Sequence, residues 1–92
     1  MEQSIIDKDI IRFIEYNGNG NDFFVKKSEI KGVMLSGEQD KLYLHIDRAL
    51  YVITGERRKL YDIYSDILLI LKFETYNDNN ISIDGCSLEI KW

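Results

Sequence analysis

The sequence predicts an α+β fold: an antiparallel β-meander of about five strands, one packed helix and a C-terminal β-hairpin. Three observations carry that expectation. In "KLYLHI", at 41–46, apolar and polar residues alternate with the period of a half-buried strand. From Leu60 the period changes, and Leu60, Ile63, Tyr64, Ile67 and Leu71 recur at helical spacing. At the C-terminal end, Asp84-Gly85 separates two alternating runs, "ISI" and "CSLEI", and this dipeptide favours a two-residue hairpin turn.

The first segment has two readings. Ser4 is a suitable cap for a helix in which Ile6, Ile10 and Ile14 recur every four residues. Alternatively "IIRFIEY", at 10–16, is β-branched and aromatic enough to be a strand. "DFFVKK", at 22–27, also reads as a strand, and a hairpin would give both segments partners. A strand from about Ile10 is therefore favoured. "KGVML", at 31–35, is separated from 41–46 by the turn cluster Ser36-Gly37-Glu38-Gln39-Asp40. A tight turn near Asp47-Arg48 then leads into "LYVIT", at 50–54. Leu42, Leu44 and Ile46 face one side of this meander, and Tyr43, His45 and Asp47 the other.

The helix is expected over about 56–72, with Thr54 as a cap and Glu56 at its positive end. Arg57, Arg58 and Lys59 set positive charge at the wrong end of the dipole. "ILLIL", at 67–71, with "KFET" behind it, also suits a strand. For the C-terminal hairpin, two residues at the tip set Ile83 opposite Cys86, Ile81 opposite Leu88 and Asn79 opposite Ile90. Ile81, Ile83, Cys86, Leu88 and Ile90 then share one face.

Length and composition bound the function. Ninety-two residues suit one domain with a thin core, for which association is a further source of stability. Of the residues, 45% are hydrophobic and 30% charged, proportions of a soluble globular chain rather than a disordered one. No apolar run approaches the roughly 18 residues of a membrane span. The N-terminus is acidic and does not resemble a signal peptide. The lone cysteine, Cys86, suits a reducing compartment, so the bacterial cytosol, or an infected host's cytosol, is expected. Net charge is −4, which disfavours a broad nucleic-acid surface, whose affinity comes from neutralising phosphates. Isoleucine, lysine, aspartate and asparagine are abundant beside one alanine and no proline, a bias of AT-rich genomes, including those of phages.

The motifs argue several chemistries down. In "EYNGNGNDFF", at 15–24, Gly18 and Gly20 lack the third glycine of a dinucleotide fingerprint, whose place is Phe23. No helix follows to hold a phosphate, so the stretch reads as a turn. Asp78, Asn80, Ser82, Asp84 and Glu89 match calcium-loop positions by side-chain type, but the glycine needed at the sixth position is Ile83. His45 and Cys86 are too few for a zinc site, and Cys86 sits on an apolar face. No catalytic residue, cofactor or metal is expected.

What remains is a surface. "ERRKLYDIY", at 56–64, mixes cations with Tyr61 and Tyr64, a mixture enriched in protein interfaces and able to stack on bases. Leu69 lies opposite the core stripe, with Asp62, Ser65 and Lys72. With Leu68 and Phe73 it forms an apolar patch that either the C-terminal hairpin or a second copy covers. Asp62, Asp66, Glu74, Asp78 and Asp84 are candidate phosphate surrogates for an inhibitor of a basic groove. The leading expectation is a non-enzymatic binding protein, concretely a phage or mobile-element inhibitor of a host defence protein. The alternatives are an oligomer that binds a nucleotide-like small molecule, and a weak nucleic-acid binder using Arg57, Arg58 and Lys59. Homodimerisation through an exposed sheet edge fits so short a chain.

Overall fold

A computed structural model of the chain describes residues 9–18, 20–73 and 79–92. Ser4, Ile6, Glu74 and Asp78 lie outside the described residues. The architecture is α+β, with strands β1 Ile10–Ile14, β2 Asp22–Lys26, β3 Ile30–Ser36, β4 Lys41–Ile46, β5 Ala49–Thr54, β6 Asn80–Ser82 and β7 Ser87–Lys91. The helix α1 spans Arg57–Lys72, between β5 and β6. The strand reading of 10–16 thus holds from Ile10, and the apolar run at 67–71 belongs to the helix.

The strands divide into two sheets rather than one continuous meander. One has the order β2-β1-β6 and the other β3-β4-β5-β7. A single 3-10 turn at Lys27–Glu29, with no buried residue, redirects the chain between β2 and β3. Within each sheet the local pairings are those that short loops favour. β1 pairs antiparallel with β2, Phe13 opposite Phe23, and β4 lies antiparallel between β3 and β5.

The C-terminal strand pair flanks the expected tight turn, with Gly85 at φ 81° and the Cys86 N–H donating to the Ile83 carbonyl at 3.1 Å. Beyond that bond the expected register is not formed. β6 runs parallel to β1, with Phe13 beside Ile81, and β7 runs antiparallel to β5, with Ile53 beside Leu88. The turn therefore bridges the two sheets. Ile81 of β6, Leu88 of β7 and the turn-flanking Ile83 and Cys86 still enter one core, whereas Ile90 of the expected face is 37% exposed, and the hydrogen-bond partners differ from those expected.

That core lies between the sheets and the helix. Ile11 and Phe13 of β1, Leu42 and Leu44 of β4, Ile53 of β5 and Leu60, Ile63, Ile67 and Ile70 of α1 are almost fully buried with Ile81 and Ile83. Phe23 stacks on Phe13 at 4.9 Å between centroids and meets Tyr51 of the other sheet at 5.2 Å. Such ring pairs add about 0.5–1.5 kcal/mol beyond their area and here join one sheet to the other.

Candidate interaction surface

The first turn of α1 explains its misplaced charge. Glu56, not Thr54, occupies the capping position, and no side chain caps the helix there. Arg57 reaches away from the positive helix end: its Nε donates to Asp40 Oδ1 at 3.3 Å, and its Nη2 donates to the Gly37 carbonyl. It therefore ties the β3–β4 turn to the helix. Lys59 is half-buried, and its charge partly offsets the shifts of Asp66 and Cys86. Arg58 is exposed. The three adjacent cations thus point to three different surroundings, and the structure does not bring them together as one basic patch.

The aromatic and acidic candidates separate in the same way. Tyr64 is half-buried and packs against the core. Tyr61 is 59% exposed. Asp62 is exposed, while burial, with Asp62 as neighbour, pushes the Asp66 carboxyl above the ordinary carboxylate range against the pull of Lys59. Asp84 is half-buried, and its Oδ1 accepts the main-chain N–H groups of Tyr16 and Asn17.

What α1 does present is apolar. Leu68 and Leu69 are 41% and 40% exposed, and Leu71 and Phe73 are also exposed. Spacing places Tyr61, Leu68 and Leu69 on the outward face, with Arg58 at one end and Lys72 at the other, about 21 Å apart along the axis. The C-terminal strand pair does not cover this face, since β6 and β7 join the two sheets. The run at 67–71 within α1 is apolar at every position, yet only Ile67 and Ile70 of it are buried. Leu68, Leu69 and Leu71 thus leave an apolar band in contact with water.

A second feature was not legible in the sequence. The side of the four-stranded sheet away from α1 carries a shallow hollow of about 460 Å³ lined by Gly32, Val33, Met34, Tyr43, His45 and Leu50. Alternation sends Tyr43 and His45 outward, but the cross-strand register sets Met34 beside Tyr43, and Gly32 and Leu50 on either side of His45. Glycine supplies no side chain there, which opens the hollow. His45 stands on this outer face, whereas Cys86 packs against the core on the inner side, so they do not form a pair. Burial, helped by Asp84 and Glu15 and opposed by Lys59, pushes the Cys86 thiol up, away from the reactive thiolate. Among the described residues, no group of three or more His, Cys, Asp or Glu is placed to hold a metal ion. No described helix is long and apolar enough to cross a membrane.

Glu15 and Asn21, at the two ends of the loop between β1 and β2, are bonded to each other. The Glu15 carboxylate is buried and accepts the Asn21 N–H at 3.2 Å and its Nδ2 at 3.0 Å. Gly18 passes so close that a Cβ there would lie 2.5 Å from Glu15 Oε2, and its φ is +90°. Both glycines of the opening motif have positive φ, which is the turn chemistry expected of them. Comparison with known proteins adds nothing to these features: no protein-family model, no curated protein and no solved structure matches the chain.

Proposed function

We propose that this chain is a non-enzymatic binding protein that engages a protein partner through the outward face of α1. The observation that supports this reading is the apolar run at 67–71 of the helix, with Leu68 and Leu69 about two-fifths exposed. The surface is of the helix-in-groove kind, in which residues at helical spacing enter an apolar cleft. Arg58 and Lys72 stand at its two ends, so the matching cleft is apolar with carboxylates at both ends. Asp62 flanks the stripe and sharpens orientation. In its narrower form the partner is a host defence protein and the chain an inhibitor carried by a phage or mobile element. That form rests on the AT-biased composition and the net charge of −4. The apolar face, rather than carboxylates imitating phosphates, is the contact this geometry favours, because Asp84 is already committed to main-chain donors.

The test is capture from bacterial lysate at low salt by tagged wild-type chain and by Leu68→Asp and Leu69→Asp variants, with circular dichroism as the folding control. The expected result is a partner recovered by the wild type, cross-linked through an apolar segment with acidic flanks, and lost with both variants. Recovery of nothing, or equal recovery by all three, sinks the proposal. A gene neighbourhood of metabolic enzymes rather than phage genes would remove the narrower form.

The hollow around Met34 and Tyr43 favours a second reading, a small-molecule binder with an aromatic or apolar ligand moiety against Tyr43. Mass spectrometry of molecules released from purified protein separates the two.

A further inference from the structure

We infer that β7 is a self-complementary edge through which two copies of this chain pair into one continuous eight-stranded sheet. Among the described residues β7 is the last strand of its sheet, bonded to β5 on one side, and most of its residues are exposed. An open edge offers a row of main-chain donors and acceptors for another strand. On the core side of the same edge, Leu88 packs against the core, Ile90 is 37% exposed and Trp92 is 89% exposed. The apolar layer therefore runs out to the rim and stops without cover.

The occupant follows from the register. Two identical strands meeting antiparallel across a two-fold axis pair residues symmetrically about one position. With Ile90 on the axis, Glu89 faces Lys91 of the second copy, and Lys91 faces its Glu89, on the outer side of the sheet. On the inner side Leu88 meets the other Trp92, and Ile90 meets itself. All five positions from Leu88 to Trp92 are then matched by charge or by apolar character. The other centres fail. An axis at Glu89 sets two carboxylates opposite each other, and one at Leu88 leaves Lys91 and Trp92 beyond the pairing. A slip that pairs Glu89 with Ile90 turns the second copy's apolar side to the outer face.

Charged residues ordinarily guard an edge, but Glu89 and Lys91 have opposite signs two positions apart, an arrangement that attracts its own copy. Of the other open edges, β3 carries a register shift between Ile30 and Gly32, β6 has three residues, and Asp22 of β2 is already paired with Arg12. The centre at Ile90 also lies away from the turn at 83–86, which leads back toward the other sheet. A single strand edge is smaller than the roughly 800 Å² per partner of a standard interface, so the dimer is a weak, concentration-dependent one.

Sedimentation velocity across dilution, from about 500 µM to about 1 µM, tests this with charge-swapped variants. The wild type is expected to pass from twice the chain mass to the 10.8 kDa monomer. Glu89→Lys and Lys91→Glu, each alone, are expected to weaken dimerisation at least tenfold, and the two together to restore it. Leu69→Asp, which tests the partner face of α1, is expected to leave the mass unchanged, so the two proposals fail separately. A wild type that stays monomeric at the highest concentration overturns the inference. So does a dimer indifferent to the single swaps, or single-swap losses that the double swap does not repair.

Discussion

Asp84, in the turn between β6 and β7, accepts the main-chain N–H of Tyr16 at 2.6 Å and that of Asn17 at 3.0 Å through one carboxylate oxygen. These donors begin the loop between β1 and β2, so two turns remote in sequence are fastened to each other. The Ile83 N–H donates to the Ile14 carbonyl at 2.9 Å beside them and continues the same seam. A side chain chosen by turn propensity thus also fixes where the first loop lies.

Removing that acceptor exposes its double role. Asp84→Ala is expected to cost about 1–2 kcal/mol, the range for bonds to a charged acceptor near the surface. Asp84→Asn keeps an oxygen in place and should cost less than half as much. Urea denaturation of the three proteins measures both, and equal midpoints for all three would show that the tie contributes nothing.

Gly18 and Gly20 separate conformational strain from steric conflict. Both have positive φ, but a Cβ at Gly20 meets nothing within 4 Å, whereas at Gly18 it strikes the Glu15 carboxylate. Gly20→Ala should cost about 1 kcal/mol, the price of the left-handed region. Gly18→Ala should cost at least about 2 kcal/mol, because Glu15 must also surrender its bonds from Asn21. In a Glu15→Ala background the excess at Gly18 should vanish, which a double-mutant cycle reads directly.

Neighbouring helix positions should respond very differently. Ile67 is fully buried, so Ile67→Ala is expected to lose about 2–5 kcal/mol. Leu68→Ala should stay within about 1 kcal/mol, since its side chain still meets water. A comparable loss at both positions in thermal or chemical unfolding would mean that the outward face of α1 is covered within the single chain.

Asp66 gives a pH dependence of known sign. Its carboxyl is pushed up on folding, so between its unfolded value and its raised folded value the native state holds more protons. Its contribution to stability is therefore most favourable below the ordinary carboxylate range and declines as pH rises through the raised value. Asp66→Asn should accordingly be stabilising at neutral pH relative to the wild type, with the gain shrinking toward the acid limit. A gain that grows on acidification would reverse the assignment.

Much of the fold was written locally. The bounds of β4 coincide with the 41–46 run, and α1 begins one residue after its expected start. In these segments neighbouring residues decide the outcome, through alternation, helical spacing and the turn preferences of Gly18, Gly20 and Gly85. The candidate surface was legible in part. Leu69 was marked by its place opposite the core stripe, but the separation of Arg57, Arg58 and Lys59 depends on Asp40 and Gly37, which only the folded chain brings close.

The sequence by itself determined the pairing of β4 with its neighbours, the turn at Asp84-Gly85 and the apolar character of the residues around it, and it left 10–16 and 67–71 open between helix and strand. Tertiary structure alone decided that β6 joins β1 and β7 joins β5, and that the hollow at Gly32 and the rim at Trp92 exist. The reason is that the pleat fixes which way a side chain points but not which strand accepts its backbone bonds. Ile81, Ile83 and Leu88 enter the same core whether β6 and β7 pair with each other or part between two sheets. Alternation is identical in both cases, and the choice passes to β1 and β5, whose free edges lie far away in sequence and near at hand only after folding.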